Sequence, residues 1–210
     1  MAAVDTPNTQ DLLFNPSLIP DSLQALLPPG HVIRPLSKTD WIVRDNTSFL
    51  STLEVLTTVG KISYAKFQER FDYLKQHNDH YYTIVIEDRR RNEQGSAETD
   101  LAPLGQGKIV AAGTVVVERK FIHELGKVGH IEDIAVRADQ QGKKLGQRII
   151  ESLMSIGAAV GCYKVILDCS EKNVPFYEKC GFERKGVEMG WYVEKNKNQN
   201  VDANKLRAKL

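Results

Sequence analysis

Apolar residues fall into a few patterned runs along the chain, separated by polar stretches of very different length. "HVIRPL" (31–36) alternates as a short strand does. "TDW" then offers Asp40 as an N-cap, and Phe49, Leu50, Leu53 and Leu56 form the apolar face of a helix that "TTVG" stops. The polar "DNTS" within that stretch also allows two helices with a break. In "SYAKFQERFDYLKQHN", Tyr64, Phe67, Phe71 and Leu74 stand at helical spacing behind a Ser63 cap. The β-branched runs "YYTIVIE" and "IVAAGTVVVER" predict two paired strands. Beyond them come a strand in "GHIEDIAV", a helix in "QGKKLGQRIIESLMSIGAAVG", a strand in "YKVILDC" and a short helix in "NVPFYEKCG". One or two closing strands are expected in "FERKGVEMGWYV".

Strand, helices, antiparallel meander, then strand–helix–strand–helix–strand predicts an α/β chain, a mixed α+β sheet with a crossover helix that makes two strands parallel. The first 30 residues carry the clusters "DLLFNPSLIP" and "LQALLPP", broken by prolines, and are expected to flank or pack on the domain. The domain itself is placed at 31–194, with a polar tail at 195–210. The stretch "DRRRNEQGSAETDLAPLGQGK" between the paired strands is too long and polar for a tight turn, and a mobile loop near 89–106 is expected. Its "RRR" is either a phosphate attractor or a solvated hairpin tip.

Charge excludes more than it suggests. With 28 basic and 27 acidic residues, the formal charge is +1, which does not point to nucleic acid. No run of about 18 apolar residues occurs, so no spanning helix and no membrane partner are expected. No Lys or Arg precedes Arg34, which fits neither a secretory signal nor a transit peptide. Cys162, Cys169 and Cys180 are odd in number and lack a CxxC spacing, so no disulfide framework and no metal site is expected, and the compartment reads as reduced and cytoplasmic.

The loop "QQGKKLG", between a strand end and a helix start, carries two glycines and two lysines and no acid. Amides at a helix start lack intrahelical partners and, with the helix dipole, form a seat for an anion. Gly142 and Gly146 permit close backbone approach, and Lys143, Lys144 and Arg148 add positive charge. Neither the Walker nor the dinucleotide spacing is met. By itself the loop is equally well a glycine-containing helix start with lysines in water.

Some thirty residues later, "NVPFYEKCGF" presents Asn173, Phe176, Tyr177, Gly181 and Phe182. Here the sequence resembles the GNAT superfamily of acetyl-CoA-dependent N-acetyltransferases, whose pyrophosphate loop reads Gln/Arg-x-x-Gly-x-Gly/Ala. Read from Gln141, the loop supplies Lys144 where a Gly is usual, then Gly146. "LTTVG", "ERKFIHELG", "GHIEDIAV", "GCYKVILDC", "EKNVPFYEKCGF" and "GVEM" together are similar to the glucosamine-6-phosphate N-acetyltransferase family, in which Gly-Lys-x-Leu-Gly is frequent at that loop. The resemblance covers roughly residues 31–193. It implies a central, mostly antiparallel sheet with strands splayed at an acetyl-CoA cleft, and helices on both faces. It also implies transfer of acetyl from acetyl-CoA to the amine of D-glucosamine 6-phosphate within a ternary complex, for amino-sugar nucleotide synthesis. One position departs: Tyr192 stands where a family substrate contact often carries Arg.

Acetyl transfer needs a neutral amine, a positioned thioester, a stabilised oxyanion and a protonated leaving thiolate. Glu132 and Asp133 lie side by side in an otherwise apolar strand, and alternation sends them to opposite faces. They are either a polar site border or a solvated strand end. The resemblance implies Glu132 as a water-mediated base, Asp133 as a sugar-hydroxyl contact and the Ile134 amide as the group that polarises the thioester carbonyl at a strand bulge. Asp168 would orient the amine or help to deprotonate it. Tyr177, with an ordinary pKa of about 10, would protonate the departing sulfur, although a core tyrosine is the plainer reading. Asn173 would bond the pantetheine arm or cap its short helix. By resemblance Gly142, Lys143, Lys144, Leu145, Gly146 and Gln147 cradle the cofactor pyrophosphate. Thr57, Lys120, Phe121, Ile122 and His123 line the sugar-phosphate pocket, with Tyr163 and Lys164 from a second subunit, so an obligate homodimer with a shared site is implied. His123 and His130 are otherwise ordinary loop residues. The rival readings are a GNAT enzyme with another amine acceptor and a non-catalytic CoA-binding domain.

Overall fold

In the computed structural model, residues 11–41, 47–90, 102 and 104–191 are described. Among them five strands form one sheet in sequential order: β1 (His31–Pro35), β2 (Tyr81–Asp88), β3 (Lys108–Arg119), β4 (Lys127–Val136) and β5 (Cys162–Ile166). The first four run antiparallel and β4–β5 is parallel. This is the mixed α/β sheet that the pattern predicts.

β2 reads as a continuous apolar run because both of its faces are covered: Ile84, Val85 and Ile86 have no exposed surface. Around the sheet lie α1 (Asp21–Gln24), α2 (Phe49–Leu53), α3 (Tyr64–Gln76), a single irregular turn α4 (Ile122–Leu125), α5 (Leu145–Ala159) and α6 (Val174–Lys179). α5 is the crossover between the parallel strands. It buries Leu145, Ile149, Leu153 and Ile156, which recur at helical spacing on its sheet-facing side. Burying each such side chain is worth about 1.5–3 kcal/mol, so this stripe anchors the helix whose first turn forms one wall of the site.

The segment before β1 joins the core. Leu12, Leu13 and Phe14 are buried, the Leu13 amide donates to Leu36 O at 2.8 Å, and the Phe14 ring meets Tyr82 edge-on at 5.2 Å.

Three expectations are corrected. Asp40 does not cap α2: it is buried, receives both terminal nitrogens of Arg34 at 2.7 and 2.8 Å, and accepts from the Ser37 amide. Arg34 in turn donates to Glu87, which accepts from the Gly105 and Gly107 amides and so fixes the end of the long loop. A charged group at such depth needs this many partners. Ser48 caps α2 instead, bonding the Ser51 amide, and Leu56 lies past the helix end, exposed.

β5 stops at Ile166, so Leu167, Asp168 and Cys169 leave the sheet. The closing strands are also missing from 182–191, which has no regular secondary structure and joins no strand, with Val187, Met189 and Trp191 exposed. Strand propensity expresses itself only against a neighbour, and this segment has none among the described residues. The polar tail 195–210, Tyr192, and residues 91–101 and 103 of the long loop lie outside the described residues.

Candidate active site

β4 and β5 face each other from Lys127↔Cys162 to His130↔Ile166 and then part. Above that point β4 continues to Val136 while β5 has ended. The exposed strip of β4 above His130 carries the polar run "ED".

A bulge shapes this strip. Thr114 faces Glu132 and Ala112 faces Ala135, so Gly113 of β3 stands against both Asp133 and Ile134. Asp133 takes a left-handed φ of 56°. The bulge interrupts the regular pleat at Asp133, and Glu132 and Asp133 are both exposed. Ile134 turns its side chain inward, where a Cβ on Gly113 would stand 2.6 Å from Ile134 Cδ1 and from Ile149 Cγ2. Gly113 is thus the space into which the bulge packs.

Glu132, Asp133 and Asp168 bring three carboxylates to the opening. Partial burial raises the proton affinity of Glu132, Asp133 adds to the rise, His130 opposes it, and Asp168 raises it further. A carboxyl pushed up in this way is suited to accepting a proton.

Next to the parted strands, the loop ahead of α5 winds through left-handed positions at Gly142 (φ 81°) and Lys144 (φ 59°). The second explains why glycine is usual there. A lysine held left-handed costs about 1–2 kcal/mol. No side chain caps α5, so the amides of its first turn have no bond from the N-cap residue. A Cβ on Gly142 would meet nothing within 4 Å, so the space above that turn is open. Two lysines, open backbone and uncapped amides suit a diphosphate. Lys143 donates to Gln140 at 2.7 Å. Gln147 donates to Glu151 at 2.8 Å, and Arg148 pairs with the same carboxylate, so both lie along the helix. Gly146 has another duty: its Cβ would sit 3.4 Å from both the Phe176 ring and Val136, so its small size lets α5 and α6 approach.

Tyr177 on α6 lies between Phe176 and Phe182, with ring centroids at 5.1 and 6.2 Å. Burial raises its pKa, with Cys169 and Cys180 adding to the effect. It is half-buried. Its ring packs against the core while the residue keeps some exposure. Asn173 makes no side-chain cap to α6, which removes the capping alternative, and it is exposed.

Thr57 is exposed in the loop 54–61, which lines an open depression of about 610 Å³. Lys120, Phe121, Ile122 and His123 occupy the β3–β4 hairpin. His123, Glu124 and Leu125 are successively left-handed, and Phe121 is 94% exposed. Tyr163 is the residue left over where the β4–β5 register shifts between Lys127 and Val128. Its ring packs on His123 at 4.4 Å, and Lys164 lies over it. The hairpin and the start of β5 thus cluster at one end of β4. Glu132 lies five residues further along, about 16 Å at strand rise.

Sequence reasoning passed over Glu118 and took His130 for a loop residue, whereas it lies within β4. Glu118 receives Lys120 Nζ at 2.8 Å on one oxygen and His130 Nε2 at 3.0 Å on the other. The available signal was the two-residue spacing of His130 and Glu132, which places both on one face of β4.

A mixed sheet opening beside a bulged strand, with uncapped amides at the head of the crossover helix, defines an acyl-transferring α/β protein of the GNAT class. A family model described as the Acetyltransferase (GNAT) family matches residues 63–182. The chain is 43% identical over 171 residues to "Glucosamine 6-phosphate N-acetyltransferase 1" of Dictyostelium discoideum, covering 81% of this chain and 96% of that one. It is 45% identical over 164 residues to "Glucosamine 6-phosphate N-acetyltransferase" of Candida albicans, covering 78% and 97%. The crystal structure of glucosamine-6-phosphate N-acetyltransferase from Arabidopsis thaliana superposes with a TM-score of 0.66 at 36% identity, over 78% of this chain and 99% of that one. The chain belongs to the GNAT acetyltransferase family and, within it, to the glucosamine 6-phosphate N-acetyltransferases.

Proposed function

We propose that this protein transfers the acetyl group of acetyl-CoA to the amine of D-glucosamine 6-phosphate, yielding N-acetyl-D-glucosamine 6-phosphate and CoA, for UDP-N-acetylglucosamine synthesis. The observation that carries the reading is the parting of β4 from β5 beyond His130 and Ile166, with Glu132 and Asp168 at the opening. The co-substrate supplies an activated acyl group as a thioester, and this chain's residues do the rest. The amides and lysines of 142–147 seat the diphosphate, and Asn173 holds the pantetheine arm. Glu132, its proton affinity raised, takes the amine proton through water, and Asp168 orients the amine. The Ile134 amide at the bulge faces developing negative charge on the carbonyl oxygen. Tyr177, kept protonated by burial, donates to the departing sulfur. Thr57, Lys120, Phe121, Ile122, His123 and Asp133 bind the sugar phosphate.

The proposal includes a homodimer with a shared site, in which Tyr163 and Lys164 reach the partner's pocket from the end of β4 where the β3–β4 hairpin also lies. The exposed Phe121, Ile122, Leu125, Val187, Met189 and Trp191 supply apolar surface for it. The cytoplasm is the proposed compartment, in keeping with three free cysteines.

The test is acetyl-CoA consumption with glucosamine 6-phosphate against unphosphorylated glucosamine. A preference of tenfold or more in kcat/KM, on the order of 1.4 kcal/mol, is expected for the phosphorylated sugar, and equal rates would refute the phosphate pocket. Sedimentation as a monomer would refute the shared site.

A further inference from the structure

Glu118 is the only carboxylate among the described residues that joins a cation of the β3–β4 hairpin to a titratable ring on the face of β4 that bears Glu132. One oxygen holds Lys120 Nζ at 2.8 Å and the other holds His130 Nε2 at 3.0 Å. His130 stands two residues before Glu132 and at the last facing pair before β4 and β5 part. We propose that Glu118 is a positioning residue that sets the sugar-phosphate cation and the catalytic base together, by fixing Lys120 and His130 with one side chain.

The physical case has two halves. Lys120 would otherwise be a long, freely rotating ammonium, and immobilising such a side chain on binding costs conformational entropy. Glu118 meets that cost before substrate arrives. Its bond to His130 requires a proton on Nε2, so the carboxylate fixes the tautomer and the orientation of the ring two residues before Glu132. His130, held in place, opposes the rise in Glu132 proton affinity that burial, Asp133 and Asp168 produce. The charged groups that act on Glu132 are His130 and Asp133 from β4 and Asp168 from the segment after β5, and those that act on Glu118 are Lys120 from the hairpin and His130. Lys120 and His130 also hold the Glu118 carboxyl below its ordinary value, so it stays ionised over the working pH range.

This inference rests on the proposed acetylation of glucosamine 6-phosphate, and its test separates the two. Wild-type enzyme, Glu118→Gln, Lys120→Met and His130→Gln are compared by KM for glucosamine 6-phosphate, KM for acetyl-CoA, and the pH profile of kcat/KM. Glu118→Gln should raise the sugar-phosphate KM about 3–10-fold and move the acidic limb upward by about half a pH unit, with the acetyl-CoA KM unchanged. Lys120→Met should reproduce the KM change alone and His130→Gln the pH shift alone. An unchanged or lowered sugar-phosphate KM in Glu118→Gln, or an unmoved acidic limb, overturns the inference while wild-type activity stands. Wild-type enzyme inactive on glucosamine 6-phosphate overturns the proposed function itself.

Discussion

His130 of β4 and Ile166 of β5 are the last facing residues of the sheet's parallel pair. Below them the two strands are joined, and above them β4 runs on paired with β3 only, with Glu132, Asp133 and Ile134 beside an opening. The place of this pair sets the depth of the cleft, and the substitutions below probe what surrounds it.

Glu132→Gln should lower kcat by about 10²–10⁴-fold, the span of general acid–base catalysis. It should also raise thermal stability at neutral pH. Glu132 is pushed up in the folded state, chiefly by burial, so the native protein binds this proton more tightly than the unfolded chain does. Native stability therefore falls as pH rises from the unfolded pKa through the raised folded one. Melting curves across pH should show the variant above wild type at pH 7 and converging with it in acid. An unchanged Tm at pH 7 would contradict the raised proton affinity.

Tyr177→Phe keeps the ring contacts with Phe176 and Phe182 and removes only the hydroxyl. Turnover should drop by about 10²-fold with CoA affinity within twofold of wild type. Because burial raises the Tyr177 pKa, wild-type kcat should persist to alkaline pH without a basic limb from this group below about 10. Calorimetry with CoA and stopped-flow turnover check both parts.

Gly146 tests packing and cofactor together. The 3.4 Å clearance to Phe176 and Val136 accommodates a methyl, so Gly146→Ala should fold with a near-normal Tm. Gly146→Val should displace α6 and weaken CoA binding at least tenfold, on the order of 1.4 kcal/mol. Equal CoA affinity in the valine variant would remove this helix start from the cofactor site.

Gly113→Ala should cost about 1–3 kcal/mol, as overpacked cores do, because its methyl would stand 2.6 Å from Ile134 and Ile149. Since Ile134 follows the bulge, kcat should fall together with stability. Urea unfolding and kinetics on the same preparation read both. Loss of stability with unchanged kcat would separate the bulge from the chemistry.

Periodicity was sufficient for much of the frame. Phe67 and Phe71 at helical spacing behind Ser63, the β-branched runs of β2 and β3, and the apolar stripe of α5 each state a preference that their packing then satisfies, because local period and burial agree. The glycine–lysine loop ahead of α5 was legible too.

What residue order could not decide is where alternation breaks and where pairing ends. Asp133 takes a left-handed φ because Gly113 opposite leaves room for a bulge, a fact about two strands rather than one. Glu118 meets His130 across the same pair, twelve positions away in the chain. Asp40 went to Arg34 in place of a helix end because a buried guanidinium needs its carboxylates. Segment 182–191 has strand-like residues and no strand, since a ladder forms only where a second edge is offered. The sequence by itself determined the elements and the chemistry available to them. Tertiary structure decided which groups meet, because side-chain contacts across a sheet depend on register, and register is a property of the folded pair.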